Sequence, residues 1–260
     1  MLRCRGRGRD PFMKQLRRIH DLAELTIHAT NGEIGRVQEV YFDDRNWSVR
    51  YLVIKTGGWL LGREVLLAPA AVSDINDADG TLSVALTQEQ IERSPPIDME
   101  KPLSREFEIA YFQHFQWSPY WEPGPTMWGG SVPYPDTPPV NFDTVLPADA
   151  PHNPHLRSSK EVVGYDIHAS DGAIGHVEDL IVDDQDWTVR YVQVDTKNWL
   201  PGKRILLQIM RIDHISWAER SVAVILQRHA IESAPTYDPS QLITPAYEIQ
   251  LFKHYGTEAA

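Results

Sequence analysis

A single cysteine, Cys4, stands in 260 residues. One thiol forms no internal disulfide and no cysteine-based metal site, which fits a reducing compartment. No apolar run reaches 18 residues, so no transmembrane segment is expected, and the N-terminus lacks the apolar stretch of a secretory signal. Catalytic motifs are missing too. There is no Gly-x-Ser-x-Gly elbow, no phosphate-cradling glycine loop and no usable cysteine nucleophile. The expectation is a protein that is not an enzyme and holds no cofactor or metal.

Positive charge is scarce outside one short stretch. The net charge is −11, yet residues 1–18 hold Arg3, Arg5, Arg7, Arg9, Lys14, Arg17 and Arg18 against Asp10 alone, which leaves the remainder at −17. An acidic body repels phosphate backbones, so no nucleic-acid partner is expected. Residues 1–13 read as a disordered basic leader, an unstructured extension rather than a functional arm.

What the chain does have is a repeat. Thr26 to Leu67 matches Asp166 to Leu207 at a constant offset of 140 residues, with 19 of 42 positions identical and no gap. The shared positions include Gly32 and Gly172, Gly35 and Gly175, Asp43 and Asp183, Trp47 and Trp187, Arg50 and Arg190, and Tyr51 and Tyr191. A repeat of this length sets the architecture before any single residue is read.

Within the first copy, Leu22–Thr30 is β-prone, and Asn31-Gly32 (Asp171-Gly172 in the second) supplies a hairpin turn with positive φ at both residues. Ile34–Phe42 is the return strand. Val37 and Val40 are out of period-2 phase, as are Val177 and Leu180, which predicts a β-bulge that curves the sheet. Asp43–Asn46 is a second turn, and Trp47–Lys55 a strand apolar on both faces. Glu64–Ala68, Ala71–Ile75 and Leu82–Ala85 complete six short strands, the pattern of a small closed or nearly closed β-barrel. Helices follow. Thr87 and Gln90 form a capping box. Ser104 opens a helix with the stripe Phe107, Tyr111, Phe115, and Thr244-Pro245 opens one with Tyr247, Leu251, Tyr255.

The expected fold class is mainly β, with two tandem barrels each followed by C-terminal helices. The boundaries are 14–115 for the first unit, 116–155 for a linker and 156–256 for the second unit. The linker holds ten of the chain's 19 prolines together with Trp117, Tyr120, Trp121, Trp128, Tyr134 and Phe142. Proline at that density precludes regular structure, and the aromatics read as anchors that lay the segment against a barrel.

The ordered pattern of turn glycine, Gly35, Asp43, Trp47-x-Val-Arg-Tyr and Trp59-Leu60-x-Gly, repeated from Gly172 to Gly202, closely resembles the PRC-barrel. That domain is shared by the cytoplasmic part of the photosynthetic reaction centre H subunit and by ribosome maturation factors. The resemblance implies the fold and a docking role with a protein partner. It does not name that partner: the membrane helix of the H subunit and the different N-terminal barrel of the maturation factors have no counterpart here. It also implies a cytoplasmic location, including the inner face of the membrane, and admits a homodimer. A ribosome maturation adaptor, or a small-ligand or metal-binding barrel using the histidines, are the alternatives.

Candidate site residues divide accordingly. Asp43-Asp44 and Asp183-Asp184 read as turn residues rather than paired catalytic carboxylates, since adjacent strand side chains face opposite ways. Arg50 and Arg190 read as partners of a nearby carboxylate, Asp43 or Glu39 and their copies. His28, His168, His114 and His254 recur without metal-ligand spacing. Trp59, Leu60, Trp199, Leu200, Trp117 and Trp121 are the candidate partner-binding residues, with a lid over the barrel end as the competing role of the Trp-Leu loop.

Overall fold

A computed structural model describes residues 15–60, 62–97, 103–121, 155–196 and 203–257, the side chains of residues 59 and 257 aside. The basic leader, Trp199, Leu200 and the linker from 122 to 154 lie outside the described residues. The first unit runs β1 (Leu16–Arg18), α1 (Ile19–Glu24), β2 (Thr26–Ala29), β3 (Gly32–Asp43), β4 (Val49–Thr56), β5 (Glu64–Leu67), β6 (Val72–Asn76), β7 (Thr81–Val84), α2 (Gln88–Glu92) and α3 (Arg105–Phe115). The second repeats it as β8 (Leu156–Ser158), α4 (Ser159–Val162), β9 (Asp166–Ala169), β10 (Gly172–Asp183), β11 (Thr188–Asp195), β12 (Arg204–Gln208), β13 (Ile212–Ser216), β14 (Ser221–Val224), α5 (Arg228–Glu232) and α6 (Pro245–Thr257).

The protein is mainly β, as its sequence implies. Each sheet has the order β5-β4-β3-β2-β7-β6 or its copy β12-β11-β10-β9-β14-β13. β2 pairs with β7 in parallel, and the other pairs are antiparallel. Neither sheet closes, because β5 and β6, and likewise β12 and β13, remain separate edges. Of the closed or nearly closed barrel expected, each unit shows the open form. The curvature device is where the phase break put it: register slips between Val37 and Glu39, and between Val177 and Asp179. Gly35 (φ +156°) stands just before the slip, where an added Cβ would lie 2.0 Å from the Lys55 carbonyl, and Gly175 repeats this against Asp195 at 2.1 Å. Backbone approaches backbone so closely that only glycine fits.

Three local expectations shift. Leu22 lies in α1, not in a strand, because Ile19 and Leu22 at i, i+3 bury one face of a short helix. The hairpin loop is Thr30-Asn31 rather than Asn31-Gly32, since Ala29 pairs with Gly32. Neither residue has positive φ. The reason is external: the Thr30 amide and hydroxyl both donate to the Leu86 carbonyl, and Asn31 Oδ1 accepts from the Gln88 amide. The chain entering α2 sets the turn. Trp47, expected at the start of a strand, is instead left-handed (φ +59°) and closes the turn onto the Asp43 carbonyl, as Trp187 (φ +54°) does onto Asp183.

The two sheets are tied by exchange. β3 pairs with β4 along one edge, but β2 covers only Gly32–Arg36 on the other. The uncovered end, Tyr41–Asp43, is taken by β8, the first strand of the second unit. Reciprocally, β1 pairs with β10 at Ile181–Asp183. Between them Val49 N donates to Trp187 O (2.7 Å) and Val189 N to Trp47 O (2.8 Å). The arrangement is a pseudo-twofold dimer within one chain, and it leaves one hydrophobic core running from Leu16 through both units to Tyr255. Among the described residues, no helix is long and apolar enough to cross a membrane.

The exchanged strands carry buried ion pairs. Arg17 Nε donates to Asp184 Oδ2 at 2.7 Å, with the two side chains 6% and 0% exposed. Arg157 Nε meets Asp44 Oδ2 at 3.0 Å, where His155 Nδ1 also lies 2.9 Å from Asp44 Oδ1. Removing one partner of a fully desolvated pair costs roughly 3–5 kcal/mol. Arg17→Ala is therefore expected to lower unfolding stability by that amount in urea titration, and Arg157→Ala, at the more exposed pair, by about half. Equal losses below about 1 kcal/mol would show that the exchange is not held by these pairs.

Candidate functional site

The residues duplicated in sequence are largely consumed by these structural tasks. Asp43 lies at the end of β3, where its Oδ1 accepts from the Arg45 amide and its Oδ2 sits 3.5 Å from Arg50 Nη2. Burial pushes the Asp43 carboxyl up, but the hydrogen bonds from Arg45 and the charge of Arg50 outweigh it and hold the pKa below its ordinary value. Asp183 repeats the pattern with the Gln185 amide and Arg190 at 3.3 Å. Asp44 and Asp184 face the other way, toward the exchanged arginines. Each Asp pair thus splits between two jobs, and its carboxylates do not converge. His114 Nε2 lies 2.9 Å from the Gln90 carbonyl and His254 Nε2 2.7 Å from that of Ala230, each tying the last helix of a unit to the one before. Among the described residues, no group of three or more His, Cys, Asp or Glu is placed to hold a metal ion.

A different locus emerges on the outer face of the sheets, where the last helix of each unit packs. In the first unit α3 lies over Tyr51, Val53 and Leu66, the outward side chains of β4 and β5, while Leu52, Ile54, Val65 and Leu67 point into the main core. Glu108 on α3 is fully buried. Its Oε1 accepts from Tyr51 Oη (3.0 Å) and Tyr120 Oη (2.8 Å), and Arg105 Nη1 lies 2.9 Å from Oε2. Burial pushes its carboxyl above the ordinary value against those three partners. Gln116 then takes a left-handed conformation (φ +57°) that turns the chain back over the helix. Trp117 stacks on Phe115 at 4.8 Å, Tyr120 and Trp121 flank Phe112 at 6.0 and 5.5 Å, and Arg50 and Arg105 sit 3.9 and 4.0 Å over the Tyr120 and Trp121 rings. Phe112 is left 7% exposed.

In the second unit the same platform is more exposed among the described residues. Tyr191 Oη donates to Glu248 Oε1 at 3.1 Å, as Tyr51 does to Glu108. Leu251 and Tyr255 are buried, but Phe252, the counterpart of Phe112, is 66% exposed, with Ile249 on the same helical face at 56%. At the aligned positions the sequence has Thr257 and Ala260 where the first unit has Trp117 and Tyr120. α6 also continues in helical conformation past Gly256, where Gln116 turns back.

Of the six partner-binding candidates, Trp117 and Trp121 are brought together over α3. Leu60, in a short 3-10 turn, is half-buried against the main core, and the Trp59 side chain, Trp199 and Leu200 lie outside the described residues. Sequence reading missed Glu248 and Phe252, although a signal existed: the aromatic cluster follows only one of two matching helices.

Comparison with known families bears on the first unit. Residues 14–91 match the PRC-barrel domain. The match spans β1 through α2 and therefore includes the strand that the first unit lends to the second sheet. No curated protein matches the chain.

One titratable group at the junction has a consequence for pH. Asp179, beside the bulge of β10, is 7% exposed and accepts from the Leu180 amide (2.8 Å) and the His20 amide of the other unit (3.3 Å). Burial raises its pKa to about 6, against the pull of those amides and of Arg18 and His20. Below pH 4 it is neutral folded and unfolded. From about 4 to 6 the unfolded chain ionises while the folded one keeps its proton, so stability falls as pH rises. Above 6 the loss is complete, at roughly 3 kcal/mol for a two-unit shift. Asp179→Asn removes this contribution. The stability difference between wild type and variant, from urea melts at pH 4.5 and 7.5, should shift by about 2 kcal/mol in the variant's favour at the higher pH. A difference that stays flat would refute the assignment.

Proposed function

We propose that this chain is a non-enzymatic docking or scaffolding protein built from two PRC-barrels, the second being the 156–256 unit, and that its partner binds on the outer face of α6. The observation that carries the reading is the asymmetry of two matching helices. Phe112 is covered to 7% by the chain's own aromatics, while Phe252 stands 66% exposed. An exposed large ring beside a half-buried carboxylate held by a buried tyrosine is the composition of a binding hot spot. The clustered polar residues are meanwhile engaged in turns, ion pairs and helix ties, which supports a binding role over catalysis. The PRC-barrel match of the first unit points the same way.

The test uses Phe252→Ser in the full chain. The side chain is exposed, so unfolding stability should stay within about 0.5 kcal/mol of wild type. Proteins retained from native-cell extract by immobilised wild type should be lost selectively with the variant. An identical retained set would overturn the proposal, as would a turnover activity abolished by a single buried-residue substitution.

A further inference from the structure

The joint between the units has two ends, and their chemistry differs. At one end Ser158 donates to Glu39, and Ile97 packs on the apolar cluster under α3. At the other end the 140-residue offset puts Arg18 in place of Ser158 and Tyr237 in place of Ile97. There a cavity of about 300 Å3 opens between the units, lined by Leu16, Arg18 and Asp21 from the first and by Tyr237, Leu242 and Ile243 from the second. Its size is at the lower end of the roughly 300–1,000 Å3 range of small-molecule sites. Tyr237 is only 6% exposed, and among the described residues its hydroxyl makes no hydrogen bond. A buried phenol usually finds a partner, as the neighbouring Tyr247 does on the Pro235 carbonyl at 3.2 Å. Burial pushes the Tyr237 phenol up to about 12, the charge of Arg18 opposing, so it keeps its proton and remains a donor. Arg18 supplies a second donor. Its Nε and Nη2 fork onto Asp21, while Nη1 makes no hydrogen bond among the described residues. The fold does not require these two groups, since the other end of the joint is built with neither.

Charge decides what kind of molecule fits. Asp21 already balances Arg18, and Asp179 and Asp238 add negative charge that is felt at the phenol. An anion is repelled by that surplus, and an ammonium group meets Arg18 first. A neutral carbonyl oxygen needs no counter-charge and accepts from both donors. The remaining walls are apolar: Leu16 and Ile243 belong to the main core, and Leu242 is 73% exposed. The turn that carries Leu242 is fixed, because the Ser240 and Gln241 side chains both hold the Asp238 carboxylate, at 2.7 and 2.9 Å. We infer that the cavity between Arg18 and Tyr237 binds a neutral amide-bearing molecule. Its carbonyl oxygen accepts from the Tyr237 hydroxyl and Arg18 Nη1, and its aliphatic group packs on Leu242 and Ile243. A ligand seated there touches both units and binds only their joined form, so it strengthens the joint. The site is separate from the outer face of α6 and stands whether or not that face docks a partner.

The experiment follows backbone amide NMR signals of the full chain during titration with N-acetyl-leucinamide. Saturable shifts are expected at Tyr237, Leu242 and Ile243. Two probes of similar shape test the charge argument: N-acetyl-leucine, an anion, and leucinamide, a cation, should each bind about tenfold more weakly. Tyr237→Phe should weaken the neutral probe about fivefold. It should leave the urea midpoint unchanged, because the hydroxyl has no partner to lose. Ile225→Ser, at an exposed apolar residue just beyond β14, should alter neither binding nor its charge preference. No saturable shift at the cavity, equal affinity for the three probes, or binding indifferent to Tyr237→Phe overturns the inference. A lowered urea midpoint for Tyr237→Phe overturns it as well, by showing that the phenol is bonded within the fold. A Gly-Gly-Leu-Gly-Gly peptide capped at both ends separates the two sources of such an amide. Tighter binding than N-acetyl-leucinamide assigns the cavity to a peptide segment and weaker binding to a free small molecule, and either result supports the neutral-acceptor site.

Discussion

The exchange of first strands is the constraint on which the rest of this structure depends. Its origin is local. Gly35 lets the backbone of β3 approach that of β4 closely enough for the register to slip at Val37–Glu39, and the strand curls away from β2. A curled strand of 12 residues outruns its neighbour and leaves an unpaired edge at Tyr41–Asp43. An open edge invites pairing with whatever strand is available. Because the chain contains two copies, each supplies the other's missing strand, and the liability becomes the joint between units.

That joint determines the roles of the polar residues. An edge strand of three residues contributes little by hydrogen bonding alone. The additional hold comes from Arg17 on Asp184 and Arg157 on Asp44, and from the seryl groups at the start of α4: Ser158 on Glu39 and Ser159 on the Val40 amide. The opposite junction is not a mirror image. Ile19 stands where Ser159 does, and a buried Asp179 accepts the His20 amide instead. A pseudo-twofold joint inside one chain is free to diverge in this way. A true homodimer is not, since every substitution there appears twice.

Much of the architecture was legible in the sequence, for a physical reason. The phase break at Val37–Val40, the Thr87 and Ser104 caps and the Phe107–Tyr111–Phe115 stripe are short-range signals, each decided by neighbours within a few residues. The exchange was not legible. β1 and β8 are three residues long and look like leaders to α1 and α4, and their partners lie about 165 and 115 residues away in sequence. The repeat carried a hint, since Leu16-Arg17 recurs as Leu156-Arg157, ahead of the stretch that aligns most clearly. The Thr30-Asn31 loop was misplaced by one residue for the same kind of reason: its geometry is set by Leu86 and Gln88, which arrive from elsewhere in the fold.

The candidate site required a comparison that neither copy permits alone. Residues identical in both units are those the fold itself needs, and Asp43, Trp47, Arg50 and their counterparts are spent on turns and pairing. Function then has to be sought where equivalent platforms have unequal surroundings. Tyr51 and Tyr191, Glu108 and Glu248, and Phe112 and Phe252 are equivalent, and both tyrosines are buried, yet Phe112 is 7% exposed and Phe252 66%. Covering α3 took a left-handed turn at Gln116 and three aromatic side chains, and the result is a satellite core around Phe112. Had α6 been solvent-facing by design, a polar residue at 252 would have served at no cost to the core. An aromatic ring retained in the open on this platform is the observation on which the proposed docking face of α6 rests.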